Sequence, residues 1–172
     1  MERKNPKPIA LFIGRFQPFH LGHLKALKWI AEQSSRVIVA IGSAQKGFEP
    51  ENPFTADERK KMIWEQIEAA DLAGKCRLAA VTDVDDNEMW VAHVDANMPP
   101  YDVVYSNNGL VRLLMKRAGK EVRDIPFFRR KMYDATKIRG RMREGKRWQD
   151  RVPEKVLEAM ERMHAEERIR KL

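Results

Sequence analysis

The chain has little cysteine and no long apolar segment. Its 172 residues include a single cysteine, Cys76, so a disulfide within the chain is excluded. The apolar runs reach only strand length, well below the roughly 20 residues that cross a bilayer. Residues 1–8 are polar and basic and lack the apolar core of an export signal. These absences predict a protein without a membrane span, located in the reducing cytoplasm.

Charge, in contrast, is abundant and unevenly distributed. The formal net charge is +8, and residues 112–151 alone contain 15 Lys and Arg against 5 Asp and Glu. Such an excess attracts nucleotides, nucleic acid or acidic surfaces. Composition leaves these alternatives open, together with the plainer interpretation of a solvated basic face.

Apolar strands alternate with amphipathic helices along the whole chain. Strand-like runs are predicted at residues 9–13, 37–41, 77–82, 102–105 and 121–125. The second run is β-branched and apolar on both faces, which is typical of a central strand in a parallel sheet. The pattern predicts an α/β fold, a Rossmann-like doubly wound parallel sheet that binds ligands beyond the carboxyl ends of its strands. We expect a single domain over residues 1–172, with a helical C-terminal part from about residue 135.

Two helix starts can be read from the sequence in more detail. Thr55 and Glu58 have the spacing of a capping box and are assigned to structure. Pro153 precedes a predicted last helix, in which apolar residues recur along one face. That apolar stripe, which we expect to be available as a surface, consists of Val156, Leu157, Met160 and Met163.

The most informative stretch follows the first strand. The Gly14-Arg15 pair ends the apolar run, and His20 and His23 then share one face at the start of the next helix. A helix start carries unpaired N–H groups and roughly half a positive charge, and Gly22 allows close approach of a ligand. Zinc ligation needs a third ligand at metal-like spacing, which is lacking. Phosphate binding is therefore the favoured interpretation, with zinc ligation and inert core histidines as the alternatives.

Further motifs follow in the order typical of one family. They are Gly14-Arg15-Phe16-Gln17-Pro18-Phe19-His20, Ile41-Gly42-Ser43-Ala44-Gln45, Asn52-Pro53-Phe54-Thr55-Ala56 with Glu58-Arg59, Asn87 with Trp90-Val91, Thr136 with Ile138-Arg139, Trp148, Val152-Pro153 and Glu167-Arg168-Ile169. Over essentially its whole length the chain resembles the archaeal-type nicotinamide-nucleotide adenylyltransferases of the nucleotidylyltransferase superfamily. The short His-x-Gly-His pattern also occurs in class I aminoacyl-tRNA synthetases, so the longer motifs carry the resemblance.

The resemblance implies transfer of AMP from ATP to nicotinamide mononucleotide (NMN), which gives NAD and pyrophosphate by in-line displacement. It implies that the catalytic residues are Arg15, His20, His23 and Arg139. The implied ATP-binding set adds Gly14, Gly22, Asn108 and Thr136, and the implied NMN and NAD set is Ser43, Asp83, Asn87 and Trp90. Mg²⁺ is expected on the ATP phosphates without a protein ligand. Because members of the family assemble, a homo-oligomer is expected.

Trp90 also has a physical argument of its own, because an indole face can stack on the cationic nicotinamide ring. Four positions depart from the family pattern. Asp134 replaces a serine, and its carboxylate would cap a helix but repel a triphosphate. Gly47-Phe48 replaces a small residue and a histidine, so the loop is expected to contact substrate differently. Asn107 replaces a glycine, and asparagine tolerates left-handed backbone.

Other functions stay open at this point. Within the same class, the alternatives are adenylylation of FMN or phosphopantetheine and cytidylyl transfer, although Trp90 favours the nicotinamide ring. From a different class, the basic region 112–151 is compatible with an RNA-binding module or a fragment of an aminoacyl-tRNA synthetase. That alternative is less favoured because a Lys-Met-Ser-Lys-Ser loop and a row of exposed aromatic residues for single strands are lacking.

Overall fold

The chain folds around one parallel sheet. The computed structural model describes residues 6–172, so the first five residues of the predicted basic N-terminus lie outside the described part. Within that part, five parallel strands take the order β3-β2-β1-β4-β5. They are β1 (Ile9–Gly14), β2 (Arg36–Ile41), β3 (Cys76–Ala80), β4 (Val103–Tyr105) and β5 (Glu121–Arg123). The predicted Rossmann-like doubly wound sheet is confirmed, and every strand lies within two residues of its predicted bounds.

Helices connect and cover the strands. They are α1 (Leu21–Gln33), α2 (Ala56–Ala69), α3 (Asn87–Asn97), α4 (Gly109–Arg117), α5 (Ala135–Arg143), α6 (Glu154–Arg162) and α7 (Ala165–Lys171). A short 3₁₀ turn, Gln149–Arg151, precedes α6. The prediction of one last helix is incomplete, because His164 adopts a left-handed backbone conformation with φ of 51° and separates α6 from α7.

Alternate side chains of the strands face two separate cores. Ala10 and Phe12 of β1 join a cluster with α1, α2 and the C-terminal helices, whereas Leu11 joins a second cluster with α3 and α4. This alternation is the two-residue period of a β-strand. Both faces are covered, as a parallel sheet requires. Val156 and Met160 of α6 are fully buried in the first cluster, so the expectation that the α6 stripe is an available surface is wrong.

The strand order places a crevice beside β1. The connection through α1 leads to β2 on one side of β1, while β4 pairs with β1 on the other side. The loops that leave β1 and β4 therefore diverge at the carboxyl ends of these strands, which is where doubly wound folds bind ligands. Within residues 6–172, no helix has the length and apolar character to cross a membrane.

Candidate functional site

A cavity of about 410 Å³ opens at the carboxyl ends of β1 and β4. Its size falls in the range typical of small-molecule sites. The loop after β1, the loop after β4 and the start of α5 all contribute to its walls. Among the lining residues are all eight members of the predicted ATP set, namely Gly14, Arg15, His20, Gly22, His23, Asn108, Thr136 and Arg139.

His20 and His23 cap helix α1 for each other. Nδ1 of His20 accepts the backbone N–H of His23 at 3.3 Å, and Nδ1 of His23 accepts the backbone N–H of His20 at 3.2 Å. Their rings stack with centroids 3.6 Å apart and 15° between the ring planes. Because each Nδ1 is an acceptor, the proton of each neutral imidazole lies on Nε2. The pair therefore keeps two N–H donors that the helix does not use.

Burial keeps both imidazoles uncharged. Burial lowers the pKa of His20 from 6.5 to about 4, although the negative charge of Asp134 acts in the opposite direction. Burial likewise lowers the pKa of His23 well below its usual value, and the neighbouring His20 adds to this effect. The ring of His23 lies 4.9 Å from that of Phe16 and 5.4 Å from that of Phe19, measured between centroids. At neutral pH the pair donates hydrogen bonds without carrying positive charge.

Arginine supplies the positive charge of the cavity. Arg15 is exposed at the end of β1, whereas Arg139 of α5 is only 2% exposed. Nη1 of Arg139 donates to the carbonyl of Gln17 at 2.8 Å, and its buried Nε has no partner in the described part of the chain. Burial lowers the pKa of this guanidinium, opposed by Glu51 and reinforced by Arg15. A buried guanidinium with unused donors is suited to an anion that completes its hydrogen bonds.

Two further helices begin at the cavity. Asn108 caps α4, since its Oδ1 accepts the backbone N–H of Val111 at 3.1 Å. Asp134 caps α5, since its Oδ1 accepts the backbone N–H of Lys137 at 2.9 Å. Thr136 lies in the first turn of α5 with its side chain exposed. The carboxylate that replaces the family's serine is thus a helix cap, and it is also part of the cavity wall.

The asparagine at position 107 has a different role from a turn glycine. Asn107 has no positive φ. Its side-chain amide donates to the carbonyl of Ile125 at 2.8 Å, and its Oδ1 accepts the N–H of the same residue at 3.1 Å. The side chain thereby ties the loop after β4 to the loop after β5, and no left-handed backbone is needed.

The two glycines near the histidines make room for neighbouring rings. A Cβ at Gly22 would lie 3.0 Å from the ring of His20 and 3.1 Å from the Cβ of Tyr133, and a Cβ at Gly14 would lie 2.9 Å from the ring of Phe16. Contacts this short would displace the aromatic groups beside the cavity. Both positions therefore need glycine for the packing of the protein itself, whether or not a ligand approaches.

The predicted NMN set lies outside the lining of the cavity. Oγ of Ser43, directly after β2, donates to Oδ1 of Asp83 at 3.0 Å, and Nε2 of Gln45 donates to Oδ2 of the same carboxylate at 3.0 Å. Asn87 is exposed at the first position of α3, and Trp90 packs half-buried against the second core cluster. The structure joins Ser43 to Asp83 directly and places Asn87 and Trp90 together on the next helix.

Sequence reasoning missed two buried side chains that join the site loops. Nε2 of Gln17 donates to the carbonyl of Phe54 at 2.8 Å, and Oε1 of Gln17 accepts the N–H of Phe54 at 3.0 Å. Arg59 is 0% exposed and donates only to backbone carbonyls. A signal for Arg59 was present, because this charged residue lies on the same helical face as the apolar residues Met62 and Ile63.

The Gly47-Phe48 departure is explained by contacts away from the cavity. The ring of Phe48, 58% exposed, lies 4.6 Å from the guanidinium of Arg168 in α7. A Cβ at Gly47 would lie 2.9 Å from Cγ2 of Thr55, so a larger residue there would disturb the start of α2. This part of the loop is fitted to α2 and to the C-terminal helix.

Comparison with known proteins identifies the family. A nicotinamide-nucleotide adenylyltransferase from Thermoplasma volcanium is 44% identical over 163 residues, which cover 95% of this chain and 91% of that protein. The chain belongs to the nicotinamide-nucleotide adenylyltransferase family. The protein of the same name from Pyrococcus furiosus is 41% identical over 165 residues, covering 95% of this chain and 88% of the relative. A cytidylyltransferase-like family model matches residues 11–141, the region that holds every predicted site residue of this adenylyltransferase.

A solved structure shares the fold. It is a bifunctional NMN adenylyltransferase/ADP-ribose pyrophosphatase from Francisella tularensis in complex with AMP and a manganese ion. The two chains superpose with a TM-score of 0.79 at 20% identity, covering 95% of this chain and 52% of the bifunctional one. This adenylyltransferase family member thus spans about half of the bifunctional chain, and at this identity the likeness concerns the fold alone.

Proposed function

We propose that this chain transfers AMP from ATP to NMN and forms NAD and pyrophosphate. The observation that carries the proposal is the stacked pair of His20 and His23, whose mutual capping leaves two uncharged Nε2–H donors at the start of α1. Arg15 and Arg139 line the same cavity. Donors, cations and a helix N-terminus together suit a polyphosphate. The relatives that are 41% and 44% identical bear the name of this activity, which supports the same proposal.

The proposed reaction depends on positioning and charge neutralisation. An oxygen of the NMN 5′-phosphate forms a bond to the α-phosphorus of ATP, while the bond between that phosphorus and the bridging oxygen of pyrophosphate breaks. No proton has to move for this step to balance. Negative charge spreads over the phosphoryl oxygens in the transition state. We assign His20, His23, Arg15 and Arg139 to donate hydrogen bonds to these oxygens, where such donors lower the barrier.

We assign the remaining cavity residues of the predicted set to ATP. Asn108 and Thr136 lie at the starts of α4 and α5, where free backbone N–H groups favour anions. Gly14 and Gly22 bring backbone to the wall of the cavity. Arg130 is also part of the wall, so the basic region 112–151 contributes positive charge to the cavity.

We propose that ATP binds as its Mg²⁺ complex. The cavity is lined by imidazole and guanidinium donors, which suit phosphate oxygens and not a bare cation. This donor set fits a metal that is held by phosphate oxygens and water. Such a metal supplies charge neutralisation for the pyrophosphate leaving group. The AMP and manganese in the Francisella tularensis structure support the use of a divalent ion.

We assign Ser43, Asp83, Asn87 and Trp90 to the NMN side. The indole of Trp90 offers a flat face for the cationic nicotinamide ring, and Asp83 and Asn87 carry groups that can orient its amide or the ribose. Trp90→Ala is expected to raise the KM for NMN about tenfold, the loss of roughly 1.4 kcal/mol of stacking, while the KM for ATP changes little. An equal change in both KM values would make Trp90 a packing residue only.

One assay tests the proposed activity directly. The protein is incubated with ATP and Mg²⁺ and, in separate reactions, with NMN, nicotinate mononucleotide, FMN or phosphopantetheine, and CTP replaces ATP in a parallel series. Pyrophosphate release and mass spectrometry of the products identify the reaction, and NAD from NMN is expected. An adenylylated FMN or phosphopantetheine, or a cytidylylated product, would replace the proposal. Salt-sensitive RNA binding without pyrophosphate release would favour the RNA-binding alternative.

We also propose that residues 1–172 act as one nucleotidylyltransferase domain with a helical part from about 135 to 172. This is supported by the first core cluster, which contains Ile138, Val156 and Ile169 together with Phe12 of β1.

A homo-oligomer and a cytoplasmic location stay predictions from the sequence. Apolar side chains that an interface between copies would cover are present on α4, where Leu110 and Leu113 are about half exposed.

A further inference from the structure

Arg59 uses every N–H of its guanidinium on the backbone of the site loops. It lies in the first turn of α2 and is fully buried. Its acceptors are the carbonyls of Thr55 (3.2 Å, from Nε), Arg15 (2.8 Å) and Gly42 (2.7 Å, both from Nη1), and Ser43 (3.0 Å) and Lys46 (3.4 Å, both from Nη2). A guanidinium has five N–H donors, and here each has a carbonyl.

The carbonyls that Arg59 binds belong to both halves of the proposed site. The carbonyl of Arg15 follows β1 and precedes the histidine pair, on the ATP side. The carbonyls of Gly42 and Ser43 follow β2, on the NMN side. β1 and β2 are neighbours in the sheet, and the N–H of Gly42 also donates to the carbonyl of Gly14 at 2.9 Å. Arg59 therefore lies at the boundary where the two loops meet.

Both loops contain strained backbone next to a carbonyl that Arg59 binds. Phe16 has a φ of 54° and Ser43 a φ of 48°, the left-handed region that is unfavourable for residues other than glycine. Phe16 directly follows the carbonyl of Arg15, and the carbonyl of Ser43 is itself an acceptor of Arg59. Such conformations persist only where the surroundings hold them. Arg59 donates a hydrogen bond to the carbonyl of Arg15, beside Phe16, and to the carbonyl of Ser43.

A comparison with Arg139 separates two uses of a buried arginine. Among residues 6–172, Arg139 makes one hydrogen bond, to Gln17, and its buried Nε has no partner, whereas the donors of Arg59 are all taken. Burial lowers the pKa of Arg59 to about 10, with Arg15 adding to the effect and Asp83 opposing it, so the side chain stays charged at neutral pH. Arg139 can complete its bonds with a substrate, while Arg59 has no donor left for one.

We propose that Arg59 is a positioning residue. It fixes the loop after β1, on the ATP side, relative to the loop after β2, on the NMN side, so that the two substrates are aligned for in-line transfer. This inference rests on the proposed AMP transfer between two substrates bound on different loops. In-line attack is sensitive to placement, and a shift of about 1 Å can cost roughly 10²-fold in rate. Lysine keeps the charge, but it has only three donors on a flexible stem. It cannot replace a planar guanidinium that donates to five carbonyls at once.

The test uses Arg59→Lys and Arg59→Gln, with Arg170→Lys as the matched control. Arg170 also donates to a backbone carbonyl, that of Met142, and neither residue lines the cavity. Calorimetry measures the affinities for ATP, NMN and NAD separately, and steady-state kinetics give kcat. NAD is the informative ligand because it occupies both sides at once and is therefore sensitive to their relative placement.

For Arg59→Lys and Arg59→Gln, we expect kcat to fall about 10²-fold and NAD affinity to fall at least about tenfold, with ATP and NMN each within about threefold of wild type. Arg170→Lys is expected to match wild type in all four quantities. An equal loss for the three ligands, or an unchanged kcat, would overturn the positioning role.

Folding of the variants is checked by circular dichroism. If either variant is partly unfolded, the measurements are repeated in sucrose, which favours the compact state. If both variants stay unfolded there, Arg59 is a requirement of the core and the inference is overturned. A wild-type protein that releases no pyrophosphate from ATP and NMN would instead refute the proposed function, which is a separate outcome.

Discussion

Two helices of this chain begin with the same reciprocal cap made from different side chains. At α1, His20 and His23 exchange hydrogen bonds between each Nδ1 and the other residue's backbone N–H. At α2, Oγ1 of Thr55 accepts the N–H of Glu58 at 3.2 Å, and Oε2 of Glu58 accepts the N–H of Thr55 at 2.9 Å. Both pairs satisfy two N–H groups that a helix start otherwise leaves unpaired.

The caps differ in what remains after the helix is capped. Each imidazole keeps an Nε2–H donor, and both histidines line the cavity. The Glu58 carboxylate keeps acceptors, which the guanidinium of Arg168 occupies at 2.8 and 2.9 Å. Burial would raise the pKa of Glu58, but hydrogen bonds from Arg168 and Thr55 hold it below its usual value. The cap of α2 is completed within the chain, whereas the cap of α1 retains donors for a ligand.

Removing an imidazole from the α1 cap should give the largest effect. We expect His23→Ala to lower kcat about 10²- to 10³-fold, because one donor to the transition state is lost. The loss of half of the cap should also cost about 1 kcal/mol of unfolding free energy. Steady-state kinetics and urea denaturation measure the two effects on the same preparation. Turnover equal to that of wild type would remove His23 from the proposed chemistry.

Acidification should separate the two caps by pH. His20 has a pKa of about 4 in the folded chain, against an ordinary value of 6.5. As the pH falls, His20 is therefore protonated in the unfolded chain before it is protonated in the folded one. The stability that depends on neutral His20 is complete above pH 6.5 and is lost as pH falls towards 4, by up to about 3 kcal/mol. The Glu58 pKa is lowered from 4.5, so its contribution is lost only below that value.

The measurement is urea denaturation across this pH range, with His20→Asn as the control. Asparagine is a good N-cap that does not titrate, so the variant should lose the share of the decline in stability between pH 6.5 and 4 that His20 causes, while the share of His23, whose pKa is also lowered, remains. A wild-type curve that is flat over the same interval would show that His20 titrates normally and that its burial has little effect.

The cap of α2 should affect stability without affecting catalysis. We expect Thr55→Ala to lower the unfolding free energy by about 1 kcal/mol, which corresponds to roughly 2–4 °C in Tm for a chain of this size. Turnover should stay within about twofold of wild type, because no atom of the Thr55 side chain lies at the cavity. A large loss of kcat in the folded variant would mean that the α2 start is part of the site.

The two caps also show which features local sequence can predict. The Thr55–Glu58 box is predictable because threonine and glutamate at that spacing are a familiar pair. The histidine box is predictable only as a phosphate site, since imidazole capping depends on which ring nitrogen faces the backbone. The positions of the strands follow from the apolar runs, because buried parallel strands carry a strong pattern.

Contacts between segments that are far apart in the chain are harder to predict from the sequence. The five carbonyls around Arg59 and the double link between Gln17 and Phe54 join loops that are far apart in sequence. Every residue has a backbone carbonyl, so the sequence does not show which carbonyls accept a hydrogen bond. The available signal is a charged residue, Arg59, on the apolar face of α2. The left-handed backbone of His164, which separates α6 from α7, is likewise not marked in the sequence, because no glycine stands there.

The smallest effect is expected at Asp134, which shares features of both caps. It caps α5 by accepting the backbone N–H of Lys137, and it lines the cavity. Its negative charge raises the pKa of His20, against the effect of burial. Serine caps a helix about as well as aspartate, so Asp134→Ser should retain stability. If the triphosphate binds in this cavity as proposed, removing the nearby negative charge should lower the KM for ATP by a few-fold at low salt.

The salt dependence distinguishes this electrostatic effect from a direct contact. Screening weakens interactions between exposed charges, so the benefit of Asp134→Ser should shrink as ionic strength rises. Asp57→Ser, which removes an almost fully exposed carboxylate in the first turn of α2, should leave the KM for ATP unchanged at every salt concentration. If Asp134→Ser raises the KM for ATP instead, the carboxylate contributes a favourable contact, and the α5 cap then resembles that of α1 in serving both the helix and the ligand.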